Sequence, residues 1–232
     1  MKELLRVRHE FKYVLPLPLA ETVKSRLSAL LSFDSHYADG IYNVRSVYLD
    51  DMVSSAYYEK SAGVEKRQKI RVRYYDLDTS YIILEKKIKK GDLIMKRSSV
   101  IDEKVALSVV SGNYEPLLFS EDPFLRELYG ELVAERYVPA VGVDYMRTAY
   151  VMPGTDIRIT VDEKVAAFPP SDGFRHFDPP MISASAETAV LEVKYGQYFP
   201  TFIISALDGI PLRREAFSKF AICRDLMRDT EV

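Results

Sequence analysis

The sequence predicts a single α+β domain over residues 1–232, strand-rich at both ends and in the middle, with helices filling the gaps. Three observations predict it. About eight segments alternate apolar and polar residues and are rich in β-branched and aromatic side chains. Several of those strands collect Lys, Arg, Glu and Asp on one face and apolar residues on the other. Four further segments place apolar residues at helical spacing, enough to cover the apolar faces.

The strands are expected near Arg6–Val14, Asn43–Leu49, Lys66–Tyr75, Tyr81–Lys89, Leu93–Ile101, Val138–Val151, Thr155–Glu163 and Thr188–Tyr195. Lys90-Gly91-Asp92 and Pro153-Gly154 are turn sequences between strand-like runs and predict two hairpins. Helices are expected over Leu19–Leu31, which follows Pro18, and over Asp102–Val110, Pro123–Ala134 and Ser218–Met227. Ala166–Pro180 holds four prolines and a glycine and reads as one long irregular loop.

Composition sets the limits. With 47% hydrophobic and 12% aromatic residues the chain can bury a core, so disorder does not fit. No stretch approaches the roughly 18 apolar residues of a membrane span, and MKELLRVRHEFKY lacks the apolar run of a signal peptide. A single cysteine, Cys223, leaves no internal disulfide and suits a reducing compartment, which points to the cytoplasm. The formal net charge of −2 supplies no overall field for nucleic acid. Oligomeric state is not legible.

The charges are informative in their placement. Residues two apart share a strand face. On that rule Glu10 and Lys12 oppose Phe11 and Tyr13; Lys69, Arg71 and Arg73 oppose Ile70, Val72 and Tyr74; Glu85 and Lys87 oppose Leu84 and Ile88. Arg147 falls in step with Tyr145; Arg158, Thr160 and Asp162 oppose Ile157, Ile159 and Val161; Glu192 and Lys194 oppose Leu191 and Val193. Any one of these faces taken alone reads first as the solvated side of an ordinary amphipathic strand. A sheet closed into a barrel accounts for all of them together, its charged faces converging and its apolar faces covered by helices. Enclosing so many like charges costs several kcal/mol per ion unless an anionic partner, or ordered water and counterions, is present. Arg offers phosphate a bidentate fork and Lys a point charge, while the interspersed carboxylates suit a divalent cation bridging phosphate oxygens.

In sequence order, Arg8-His9-Glu10-Phe11-Lys12-Tyr13, Val47-Tyr48-Leu49-Asp50, Lys69-Ile70-Arg71-Val72-Arg73, Leu84-Glu85-Lys86-Lys87, Asp144-Tyr145-Met146-Arg147, Arg158-Ile159-Thr160-Val161-Asp162 and Leu191-Glu192-Val193-Lys194 resemble the vacuolar transporter chaperone (VTC) domain. That domain belongs to the CYTH-like, triphosphate tunnel metalloenzyme superfamily, and Ser218-Lys219-Phe220 resembles the signature on its C-terminal helix. The resemblance implies an eight-stranded antiparallel tunnel and chemistry on triphosphate-like substrates with Mn²⁺ or Mg²⁺. For the VTC branch it implies a polyphosphate polymerase that moves the γ-phosphoryl of ATP onto a phosphate chain.

Carried onto this chain, Arg71, Arg73, Arg158 and Lys219 form the catalytic set, and Lys12, Lys87, Arg147 and Lys194 grip further phosphate oxygens. Glu192 is the leading metal ligand, with Glu10, Glu85 and Asp162 as further candidates. Hydrolytic members open with Glu-x-Glu-x-Lys; Arg8 replaces the first Glu here, which favours the VTC branch and weakens multi-carboxylate metal binding. Two alternatives remain open: a hydrolase of tripolyphosphate or an organic triphosphate, and a silent sensor of polyphosphate or inositol phosphates. Outside the motifs, His9 reads as a surface or helix contact, His36 and His176 as loop residues, Cys223 as core, and Tyr48 and Tyr145 as packing residues. Arg213 and Arg214 read equally as guards of a tunnel mouth or as solvated charges.

Overall fold

The structure, a computed structural model, describes residues 9–34, 40–91, 93–172 and 179–230. In chain order the elements are β1 (His9–Pro16), α1 (Leu17–Ser28), β2 (Ser32–Phe33), β3 (Ile41–Asp51), α2 (Ser55–Ser61), β4 (Lys66–Tyr75), β5 (Asp78–Lys90) and β6 (Leu93–Ile101). They continue with α3 (Glu103–Val110), α4 (Glu115–Leu118), α5 (Pro123–Ala134), β7 (Tyr137–Val151), β8 (Arg158–Phe168), β9 (Ile182–Ser183), β10 (Thr188–Tyr195), α6 (Thr201–Ala206) and α7 (Lys219–Thr230).

One sheet runs through the domain in the order β1-β10-β8-β7-β3-β4-β5-β6, and neighbours pair antiparallel throughout. The two-residue strands β2 and β9 pair with β7 and β8 off this path. The expected hairpins stand at β5–β6 and β7–β8, with Gly91 and Gly154 at the positive φ values of 57° and 74° that tight turns use. Helix starts follow local chemistry. Asp102 accepts from the Val105 N–H at 2.8 Å ahead of α3, and Asp122 accepts from the Phe124 N–H at 2.8 Å ahead of α5.

The sheet curls without closing as a hydrogen-bonded barrel. β1 and β6 end the path, and no ladder joins them among the described residues. The edge of β1 turned away from β10 is taken instead by the segment before α7: Tyr13 bridges Arg214, and the Glu215 N–H donates to the Lys12 carbonyl at 2.9 Å. With that edge satisfied, β6 is not needed to seal the ladder. Across the curl, side chains make the closing contact, Lys87 of β5 reaching Glu10 of β1 at 3.2 Å.

Two apolar cores lie on the outside of the curl. Ile70, Val72 and Leu84 face α3, α4 and α5 through Val109, Leu117, Leu125 and Leu128. Leu15, Ile159, Val161, Leu191 and Val193 face α1 and α6 through Ala20, Val23, Leu27 and Ile203. Lys86, one residue out of step with Glu85 and Lys87, points outward and pairs with Glu131 of α5. This inside-out layout, charged within and greasy without, is what the alternation predicted.

α7 is the exception. Its Phe220, Cys223 and Met227 pack on Tyr48, Val141, Val143, Tyr145, Val165 and Ala167, on the inner side of β3, β7 and β8. The helix therefore plugs one end of the curl rather than coating it, which corrects the expectation that every helix lies outside. The 166–180 region also differs: β8 continues through Phe168, a short 3₁₀ turn spans Pro170–Asp172, and β9 pairs Ile182 and Ser183 with Ala167 and Ala166. A register shift between Asp144 and Met146, with Lys164 at φ 53°, re-aims β8 beyond Asp162, so Val165 and Ala167 face α7.

Candidate functional site

The strand registers set the charge pattern inside the curl. Glu10 lies opposite Lys194 and Lys12 opposite Glu192, joining β1 to β10. Arg71 lies opposite Glu85 on β4 and β5, and Arg147 opposite Asp162 on β7 and β8. Opposite charges therefore meet across each of these ladders. Elsewhere the rule breaks, as where Lys194 lies opposite Arg158. Lys69, Lys87 and Lys96 fall directly in line across β4, β5 and β6, and like charges so placed repel.

Each carboxylate is held by cations. Asp162 is fully buried and accepts from Arg147 Nε at 2.7 Å, from Arg147 Nη2 at 2.8 Å and from Lys219 Nζ at 2.6 Å. Burial works to raise its pKa, but Arg147 and Lys219 outweigh it and bring the group down to about 2. Glu85 lies between Arg71 and Lys96 and is held well below the carboxylate range against the same penalty of burial. Glu10 contacts Lys12 at 3.3 Å and Lys87 at 3.2 Å. Glu192 pairs with Lys194; burial opposes its ionisation, yet Lys194, Lys12, Arg147 and Lys219 hold it well below the usual range.

Cations outnumber carboxylates among the described residues of this wall. Arg73, buried, bonds to two hydroxyls, Ser46 Oγ at 3.0 Å and Tyr145 Oη at 3.4 Å, and forms no ion pair among the described residues. Arg158 lies beside Lys194 in the register and reaches Asp34 and the Tyr42 hydroxyl, each at 2.8 Å. Lys69 donates to Ser218 Oγ at 2.9 Å and lies 4.9 Å from the centre of the Phe220 ring. Lys87 is pushed below the usual lysine range chiefly by burial; Glu10 opposes the shift, and Lys194 and Lys12 add to it.

Beside the start of α7 a cavity of about 430 Å³ opens, lined by Glu10, Lys12, Arg67, Lys69, Lys87, Lys89, Arg214 and Ser218 among others. Arg214 lies at this mouth with its guanidinium 4.3 Å from the centre of the Phe11 ring, while Arg213 is exposed.

All twelve site residues expected from the sequence thus face one enclosure. The sequence reading placed Lys69 on the charged face without giving it a role, and it missed Lys96 and the hydroxyls of Tyr42, Ser46 and Tyr48. The signal was present, because Tyr42, Ser46 and Tyr48 share a face of β3 by the two-residue rule. Tyr48 and Tyr145 do pack, against Phe220 and under Lys219 respectively, but their hydroxyls also turn toward Arg71 and Arg73. His9 stacks near Phe11 and Tyr195 at the surface, and Cys223 is buried with its thiol pushed up to about 12, chiefly by burial. Arg8, His36 and His176 lie outside the described residues.

The donor set can be tested against a divalent metal. Among the described residues no three His, Cys, Asp or Glu side chains cluster as a metal site. Glu10 and Glu192 are close enough for Glu192 to oppose the ionisation of Glu10. Thr160, opposite Glu192, carries a buried hydroxyl oxygen with no hydrogen-bond partner among the described residues. Two carboxylates and a hydroxyl suit an ion that brings most of its oxygen ligands with it as phosphate and water, as Mg²⁺ does, rather than an all-protein cage. Glu85 and Asp162 are each committed to two cations.

Comparison with known proteins follows the same lines. No curated protein matches the chain by sequence. Among solved structures, HpAC1 from Hippeastrum, in which triphosphatase activity is dominant, superposes with a TM-score of 0.58 at 16% identity, covering 93% of this chain and 94% of that one. A candidate adenylate cyclase from Bacillus halodurans superposes with a TM-score of 0.50 at 10% identity, covering 90% and 89%. These likenesses show a shared fold. No helix among the described residues is long and apolar enough to cross a membrane. The VTC domain family model matches residues 7–228, nearly the whole sequence, and the chain belongs to the VTC domain family.

Proposed function

We propose that the chain is a polyphosphate polymerase-like phosphotransferase that moves the γ-phosphoryl of ATP onto a polyphosphate chain inside the basic enclosure. The observation that supports it best is the crowding of positive charge on the inner wall: Arg73, bonded to two hydroxyls and in no ion pair among the described residues, and three lysines in line across β4, β5 and β6. Such a wall, only partly neutralised by Glu10 and Glu85, attracts a polyanion.

Phosphoryl transfer asks the protein mainly for positioning and charge stabilisation. In this reading Arg71, Arg73 and Arg158 direct guanidinium donors at the transferring group, and Lys219 holds the α7 end of the site. Lys12, Lys87 and Lys194 bind the neighbouring phosphates toward the mouth. Arg147 is fixed by its two-point contact with Asp162 and presents its remaining donors inward. A Mn²⁺ or Mg²⁺ ion held by Glu192 with Glu10 would neutralise charge between phosphate oxygens. The acceptor is the terminal phosphate oxygen of the chain, already ionised, so no strong general base is required.

A second reading, hydrolysis of tripolyphosphate or an organic triphosphate, is supported by the likeness to HpAC1. One experiment separates the two. Purified protein with ATP and Mn²⁺ is expected to yield acid-stable phosphate polymer on a gel. Orthophosphate released from tripolyphosphate without chain growth selects the hydrolase. Glu192→Gln is expected to abolish either turnover while tripolyphosphate still binds. Tight, salt-sensitive binding with no turnover under any divalent metal leaves only a sensor.

A further inference from the structure

Tyr48 occupies an unusual position for a phenol. It is 7% exposed, its ring lies 5.1 Å from that of Phe220, and its hydroxyl oxygen accepts from Arg71 Nη1 at 2.9 Å. The groups around it are mostly cationic. β4 supplies Lys69, Arg71 and Arg73, and β1 supplies Lys12. Glu85 of β5 lies on the other side of Arg71, where it takes the Nε donor. β7 contributes Tyr145, whose hydroxyl meets Arg73, and α7 contributes Phe220 and the neutral Cys223 thiol. The phenol oxygen thus stands as the counter-group to one arm of a guanidinium that the proposed reaction assigns to phosphate.

We propose that Tyr48 acts as an internal stand-in anion: in the empty site its phenolate oxygen holds Arg71, and when phosphate oxygens enter it takes up a proton from solvent and yields that donor. This rests on the phosphate-binding reading above and adds a positioning residue and a proton to it. The proton balance is simple. The O–H bond formed at Tyr48 Oη uses one proton from bulk water or buffer, and no other bond changes. Electrostatics agree with the geometry. Burial alone would raise the phenol, yet Arg71, Arg73 and Lys69 outweigh it and bring it down to about 7. A polyanion among the same cations cancels their effect, and linkage then requires proton uptake on binding.

The test is calorimetric titration of the full chain with inorganic tripolyphosphate near pH 8, in buffers of differing ionisation enthalpy, for wild type and Tyr48→Phe. The wild type is expected to take up additional protons per tripolyphosphate bound, by an amount approaching one, relative to the variant. Near pH 9 the variant is expected to bind tighter than wild type by about tenfold or more, because it has no phenolate to protonate. A purely structural hydroxyl gives the opposite result, weaker binding at every pH. Should the variant fail to fold, the ultraviolet difference spectrum of wild type answers alone: loss of a tyrosinate band on adding tripolyphosphate supports the inference, and an unchanged spectrum overturns it. Binding with equal proton uptake in both proteins overturns the role of Tyr48 and leaves the phosphate site standing. No binding to wild type overturns the phosphate reading and this inference with it.

Discussion

Arg147 meets Asp162 edge to edge, Nε on one carboxylate oxygen and Nη2 on the other, at 2.7 Å and 2.8 Å. Asp162 also anchors Lys219, the first residue of α7, so one fully buried carboxylate ties β7, β8 and the plugging helix together. Asp162→Asn would leave two cations without that charge. The expected loss is about 3–5 kcal/mol of folding stability, read from chemical denaturation, with the denaturant midpoint lowered and the slope retained.

Acid should weaken the same cluster. Asp162 has a folded value of about 2, below its ordinary 3.8. A carboxylate lowered in this way contributes its full stabilisation above the unfolded value and loses it as pH falls through the folded one. For Asp162 this is roughly 2 kcal/mol, lost between about pH 4 and pH 2, and Glu192 and Glu85 shift in the same direction. Denaturation series at stepped pH are expected to show a steep fall in that window and little change from pH 5 to neutrality.

Filling the enclosure should stabilise the fold. The inner wall carries Lys69, Lys87 and Lys96 in line and Arg73 bonded to hydroxyls, a crowding of cations that an entering anion relieves. At a tripolyphosphate concentration a hundred times its Kd, linkage adds about 2.7 kcal/mol, which is roughly 5–10 °C in Tm for a chain of this size. Differential scanning fluorimetry is expected to show this rise, diminished by added salt.

A control lies outside the lumen. Arg45 is buried on the outward side of β3, bonded to Asp144 at 2.7 Å and lying over the Phe168 ring. Arg45→Ala should cost about 3–5 kcal/mol through the buried carboxylate it strands. The tripolyphosphate affinity of the fraction that remains folded should be unchanged, measured by calorimetry below the melting range. A loss of affinity equal to that of Arg73→Ala would show that buried charge in general, rather than the inner wall, binds the anion.

Much of this was legible from two-residue alternation. The inward set of β4, Lys69, Arg71 and Arg73, and that of β8, Arg158, Thr160 and Asp162, could be read because Ile70, Val72, Ile159 and Val161 mark the opposite face without ambiguity. Partnerships could not be read. That Glu85 serves Arg71 and Lys96, while Glu10 serves Lys12 and Lys87, depends on strand register and on how the sheet curls. Short elements left no trace either: β2 and β9 are two residues long, too short for a period to show, and α2 spans seven. The inward placement of α7 escaped because an amphipathic stripe looks the same whichever side of a sheet it seals. What distinguishes it is the Val165–Ala167 stretch, which lies past a bulge that the sequence does not announce.

β1 has its ladder partner in β10, His9 beside Tyr195 and Pro16 beside Thr188. During synthesis β1 therefore waits for this partner until β2 to β9 have all been made. Contacts this remote in sequence slow folding, and an unpaired strand is a route to aggregation. Synthesis at low temperature or with chaperones in excess should accordingly raise soluble yield more for this chain than for one whose first strand folds onto its immediate neighbours.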